Sequence, residues 1–205
     1  MRRLARLPLP HMLHDPWLDR WLTVIAPHAR DAAVLELGCG SGHDTATLTA
    51  AGFDVIALEI DPASVSRARM RAPKAQVLCR DLLHPLPSPI SGGKFGAIIA
   101  SLSLHYFPWE ETVRLVARVR NALRPSAVLV CRLNSTEDRH FGAVGHREIE
   151  PNYYLVNGSP KRFFDEAAID RLFSEGWRIQ SKAHVITHKY VLPKALWEVV
   201  LERDA

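Results

Sequence analysis

The chain has 205 residues, 47% hydrophobic and 23% charged, which suits one well-buried domain and is short for two. Its net charge of +4 is mild, and no dense basic stripe with interleaved aromatics marks a nucleic-acid track. No window approaches about 18 apolar residues, and Pro8, Pro10, His11, His14 and Asp15 break the N-terminal apolar run, so a soluble cytoplasmic protein is expected.

The pattern W-L-D-R-W-L-T-V-I-A predicts an amphipathic helix over Trp17 to Ala26, part of a helical cap over about 1–30. His14, Asp15 and Trp17 either lie over a ligand as an N-terminal lid or simply begin that helix. Strand Ala33 to Leu37, helix Asp44 to Ala51, strand Asp54 to Leu58, helix Pro62 to Arg71 and strand Ala75 to Leu78 follow. Pro62 falls at the first helical turn, where proline costs least, and Asp61 reads as its cap. A fourth strand covers Ala97 to Ala100. Helix Trp109 to Leu123 is expected to turn Val113, Val116, Ala117 and Leu123 toward the sheet, and a fifth strand spans Ser126 to Arg132.

The stretch 133–164 has little regular pattern and reads as a long substrate loop inserted into the domain. Tyr153, Tyr154, Phe163 and Phe164 argue against disorder there. Helix Asp165 to Ser174, a C-cap at Gly176, strand Trp177 to Ile186 and a strand within Ala195 to Leu201 complete the chain. Strands alternating with helices predict an α/β, doubly wound, Rossmann-like parallel sheet, with ligands beyond the carboxyl ends of its strands.

Residues Val34 to Gly42 read V-L-E-L-G-C-G-S-G, an apolar strand breaking into glycines at alternate positions, and Glu59 follows 21 positions after Gly38. A backbone turn without side chains, and a carboxylate delivered by the next strand, make a pocket for a nucleoside cofactor whose hydroxyls that carboxylate accepts. The dinucleotide pattern needs a further glycine where this chain has His43. Glu36 and Asp44 crowd the turn. Carboxylates repel a pyrophosphate but favour a ligand bearing an ammonium and a sulfonium, such as S-adenosylmethionine.

The segments V-L-E-L-G-C-G-S-G-H-D, A-L-E-I-D, C-R-D-L and F-G-A-I-I-A-S-L-S-L-H-Y resemble the successive motifs of class I S-adenosylmethionine-dependent methyltransferases, from about Asp31 to Leu133. S-L-S-L-H-Y-F and the compact length look most like the bacterial small-molecule type, including tellurite-resistance-like methyltransferases. The resemblance implies a seven-stranded sheet of order 3-2-1-4-5-7-6 with strand 7 antiparallel. It also implies that Gly38, Cys39, Gly40 and Gly42 wrap the methionine portion and that Glu59, with Ile60 beside it, takes the ribose hydroxyls. Asp81 then meets the adenine amino group with Leu82 stacked nearby, and Ser101 offers its backbone carbonyl to the ammonium. Glu36 is either a ligand or a carboxylate capping the next helix, and Asp44 either a ligand or a partner of the helix dipole.

Methyl transfer from a sulfonium needs alignment and exclusion of water, and no protein nucleophile or metal. His105 and Tyr106 follow strand four, where acceptors sit in this superfamily. His105 is either the group that takes a proton from the acceptor or a satisfied pocket histidine. Arg132, Arg147, Tyr153 and Lys161 are candidate substrate residues, and the cations suit an anionic group on the acceptor. His184 and His188 lie on a strand at a spacing that does not aim two imidazoles at one metal. His140 and His146 read as surface residues. Three cysteines, Cys39, Cys79 and Cys131, fit reduced thiols.

The expected function is methyl transfer to a small molecule. The alternatives are a tRNA or rRNA methyltransferase and a catalytically weak S-adenosylmethionine-binding module. Nucleic acid is disfavoured because the chain lacks the Asp or Asn, two prolines and an aromatic that base-amino methylation usually shows after strand four. Monomer and homodimer are both open, as is the methylated atom.

Overall fold

A computed structural model describes residues 15–89 and 92–205; the expectations for His14 and the start of the N-terminal cap lie outside them. The chain turns through a short 3-10 helix, Asp19–Trp21, into α1 (Leu22–Ala29). Trp17 therefore precedes the helix, yet it is buried with Leu18 and Ile25 against the sheet. Next come β1 (Val34–Leu37), α2 (His43–Ala50), β2 (Val55–Glu59), α3 (Pro62–Arg71), β3 (Gln76–Cys79), β4 (Phe95–Ser101), α4 (Trp109–Ala122) and β5 (Leu123–Asn134). Asp61 caps α3, accepting from the backbone N–H groups of Ala63 and Ser64.

The expected loop 133–164 is not irregular. It contains β6 (Arg147–Glu150), β7 (Tyr153–Val156) and β8 (Ser159–Arg162), a three-stranded antiparallel sheet. Its tight turns hold Asn152, Asn157 and Gly158 at positive φ, a backbone that asparagine and glycine adopt most readily. Then follow α5 (Glu166–Leu172), capped by Asp165, β9 (Trp177–Thr187) and β10 (Lys194–Arg203).

The main sheet runs β3-β2-β1-β4-β5-β10-β9. Counting only its own strands this is 3-2-1-4-5-7-6, with the last strand in sequence antiparallel to both neighbours. Both faces are covered, so β1, β4 and β5 from Ala127 onward are buried almost throughout and mostly apolar, with Glu36, Arg132 and Asn134 as buried polar exceptions. Within β1 and β2, Val34 and Val55 face α1 and α2, while Leu35, Leu37, Ile56 and Leu58 face α4 and α5.

The face of α4 differs from expectation. Thr112, Leu115, Val116 and Val119 are buried, whereas Val113 is 38% exposed. Thr112 enters the core because its hydroxyl donates to the carbonyls of Phe107 and Pro108, which removes the cost of burying it. Among the described residues no helix is long and apolar enough to cross a membrane.

Candidate functional site

β1 ends where the backbone must bend out of the sheet, and the bend is built on glycine for two separate reasons. At Gly42, φ is +78° and a Cβ would stand 2.8 Å from the Cα of Ala68, so the bend packs against α3. At Gly40, φ is +53° and a Cβ would meet nothing within 4 Å. Its bare main chain fronts a cavity of about 440 Å³ beyond the carboxyl ends of the parallel strands.

Gly38, Gly40, Glu59, Ile60, Asp81 and Leu82 all line this cavity, so the structure brings six of the expected cofactor residues together. Glu59 fastens the bend. Its Oε2 accepts from the N–H of Gly40 at 2.8 Å, and its Oε1 from those of Ile60 and Asp61 at 2.8 and 2.9 Å. Three of a carboxylate's roughly four lone-pair positions are thus used; the free one is on Oε2 beside Gly40, and a diol gripping both oxygens would have to share Oε1 with Ile60 and Asp61. Asp81 sits at the other end, its Oδ1 accepting from the N–H of Leu83 to hold a turn open toward the cavity. Ile60 is 61% exposed, an apolar surface beside Glu59.

Other expected residues lie behind this wall. Glu36 is 3% exposed and accepts from the hydroxyl of Thr45 at 2.5 Å. Asp44 accepts from the indole N–H of Trp17 at 3.0 Å. Cys39 is buried, and its thiol is pushed up to about 12, first by burial and then by Glu36 and Glu59. Such a thiol is not a nucleophile at neutral pH. The hydroxyl of Ser101 accepts from Nε of Arg132 at 2.9 Å, and the chain beyond it, Leu102 and Ser103, reaches the cavity instead. Ser103 is the residue the sequence reading missed here, and its buried hydroxyl has no partner among the described residues.

The acids leave a measurable imprint. Burial, followed by the negative charges of Asp44 and Glu59, pushes the Glu36 carboxyl up to about 8 from its ordinary 4.5. The folded protein therefore holds a proton that the unfolded chain gives up between these values. The stability this contributes is full below about pH 4.5 and is lost as pH rises toward 8. Glu36→Gln cannot ionise, so its melting temperature should match wild type near pH 5 and exceed it by about 5 °C or more at pH 8. An equal difference at both pH values would contradict the assignment. The same field favours a cation at the bend and disfavours phosphate.

Comparison with known proteins points the same way. The family described as "Methyltransferase domain" matches residues 34–126, the segment that holds the bend, Glu59 and Asp81. Over residues 34–126 the chain is similar to that methyltransferase family. It is 30% identical over 98 residues, 46% of this chain and 43% of the relative, to an uncharacterized methyltransferase of Synechocystis, so the match spans less than half of that relative's length. In fold, the chain is similar to an S-adenosylmethionine-dependent methyltransferase of Methanosarcina mazei, with a TM-score of 0.73 and 14% identity over 93% of this chain and 98% of that one. It is also similar to the 1,6-didemethyltoxoflavin-N1-methyltransferase of Burkholderia thailandensis, with a TM-score of 0.68 and 16% identity over 93% and 82%.

The expected acceptor residues are placed less simply. Tyr106 lines the cofactor cavity and is 47% exposed. His105, its ring centroid 4.2 Å from that of Tyr106, is 3% exposed, and burial, then Lys194 and Lys161, push its imidazole down to about 3. It is neutral at physiological pH and too weak a base to suit proton abstraction there. Arg132 is not offered to a ligand: it pairs with Asp15 at 2.5 Å and stacks on Trp17. Tyr153 is buried and its hydroxyl donates to the carbonyl of Tyr106 at 2.9 Å, so it supports the site's backbone. Arg147 is exposed on β6. Lys161, on β8, makes no ion pair among the described residues and acts electrostatically on both His105 and Lys194.

Proposed function

We propose that the protein transfers the methyl group of S-adenosylmethionine to a small-molecule acceptor that carries an anionic group. The observation that carries this reading is the 2.8 Å hydrogen bond joining the bare Gly40 backbone to Glu59 at the wall of a cavity whose far end is Asp81 and Leu82. One carboxylate thereby shapes the bend and faces the ribose position, while Asp81 and Leu82 take the adenine. Ser103, Gly38 and the acid field of Asp44 and Glu59 receive the charged methionine end, while Glu36, which keeps its proton, adds no charge.

When bound, the cofactor supplies an electrophilic methyl group on a sulfonium. The chain's part is alignment and exclusion of water for an in-line displacement. Tyr106 and Phe107 cover the cavity where the methyl group would point. His105 acts as a neutral hydrogen-bond partner that orients the acceptor, a narrower role than proton abstraction. The fold neighbour named for a small heteroaromatic acceptor supports a small-molecule substrate. The anionic group rests on Lys161, since Arg132 is already neutralised by Asp15.

A screen with labelled methyl donor and matched acidic and neutral acceptors tests this. Transfer to acidic compounds is expected, and turnover confined to neutral ones would overturn the anionic assignment. With the acceptor so found, His105→Gln should lower kcat about tenfold or more while the affinity for S-adenosylhomocysteine stays within twofold. A variant that loses cofactor affinity with kcat intact would make His105 a wall of the cofactor cavity.

A further inference from the structure

Beyond the carboxyl ends of β4 and β5 and the amino end of the antiparallel β10 lies a second polar constellation that the cofactor cavity does not include. Three of its buried atoms have no hydrogen-bond partner among the described residues: Nδ1 of His105, Oδ1 of Asn134 and Oδ1 of Asp138. The residues are 3%, 2% and 1% exposed. Hydrogen bonds and charges link the segments that carry them. The backbone N–H of Arg162 donates to the carbonyl of His105 at 2.7 Å, and the Asn134 amide donates to the carbonyl of the same Arg162 at 3.4 Å. Lys194 donates to the other oxygen of Asp138 at 2.6 Å and acts electrostatically on His105.

Buried polar atoms are almost always paired, and these three unpaired atoms, two of them carbonyl or carboxylate oxygens, call for partners that the described residues do not supply. Aromatic rings enclose the constellation. Phe141 lies 5.0 Å from Nζ of Lys194, Tyr190 from the β9–β10 connection lies 5.3 Å from Phe141, and Tyr190 and Glu59 both act electrostatically on Tyr106. Tyr106 is thus shared between the two sites. For a ligand to reach the buried atoms, Phe141 and Tyr190 must separate.

We propose that His105, Asn134 and Asp138 form the acceptor subsite, which binds a flat aromatic or heteroaromatic molecule through an edge of N–H or O–H donors while its anionic group faces Lys161. This rests on the methyltransferase reading above and names its substrate class. Substrate lacking such donors would leave the three atoms unpaired and be rejected.

The test uses 4-aminobenzoate and 4-(dimethylamino)benzoate, which share ring and charge and differ in N–H donors, titrated into the protein saturated with S-adenosylhomocysteine. The amine should bind at least tenfold more tightly. Asn134→Leu should erase that preference without changing affinity for S-adenosylhomocysteine; Asn134→Ser serves if the leucine variant does not fold. In the wild type, 4-aminobenzoate should also shift the Nδ1 resonance of His105. Equal binding of the two probes, a preference that survives in both Asn134 variants, or an unmoved His105 resonance would overturn the subsite and leave the three atoms to buried water. Failure to bind S-adenosylhomocysteine would instead overturn the methyltransferase reading and this subsite together.

Discussion

Glu59→Ala should weaken S-adenosylmethionine binding by about 10- to 150-fold, the equivalent of one charge-assisted hydrogen bond worth roughly 1.5–3 kcal/mol. Two losses combine in that change. The diol loses its carboxylate, and the N–H groups of Gly40, Ile60 and Asp61 lose the acceptor that fixes the bend. Glu59→Gln separates the two, because an amide oxygen can keep part of the backbone scaffold while the negative charge is gone. Calorimetric titration should rank the affinities wild type, then glutamine, then alanine. Unchanged binding in the alanine variant would show that the cofactor lies elsewhere.

Arg162→Ala should cost about 1.5–3 kcal/mol of stability, or about 3–12 °C in melting temperature, by removing a buried guanidinium whose half-buried partner Glu150 is then left to solvent. Arg162 is 4% exposed in its side chain and pairs with Glu150. Its Nε donates to the carbonyl of Phe107 at 3.2 Å, and its guanidinium lies over the rings of Tyr153 and Trp109. Glu150 in turn accepts from the backbone N–H of Trp109, at the start of α4. The small sheet is thus fastened to segment 105–109, the wall shared by the cofactor cavity and the acceptor subsite. Arg162→Lys keeps the charge but not the fork, and should recover only part of the loss. Thermal unfolding checks this, and a shift of less than 2 °C for the alanine variant would mean that the insertion is held by other contacts.

The strand–turn–helix around Gly38 to Gly42 was legible because its constraints are local: a buried strand must be apolar, and a bend against α3 and an open cavity must lack side chains. The three-stranded insertion was not, because R-E-I-E and S-P-K-R show no apolar alternation. That sheet is covered on one side only by a few residues such as Ala143, Val156 and Phe163. Its signal was in the turns, Pro151-Asn152 and Asn157-Gly158, which flank Y-Y-L-V. Arg132 misled for a different reason. Its partner Asp15 is 117 residues away, and nothing local reveals that the guanidinium is already neutralised. Lys194 and Tyr190 were missed because K-Y-V-L-P-K reads as a plain connection, although it carries a buried cation and a ring to the edge of the site.

The central claim is that the bare bend beside Asp44 and Glu59 receives a positively charged sulfur compound. Calorimetric titration of the wild-type protein with S-adenosylmethionine, S-adenosylhomocysteine and NAD addresses it most directly. One site per chain for the first two, and no heat from NAD, is the predicted result. Binding of NAD with no binding of S-adenosylmethionine would contradict it.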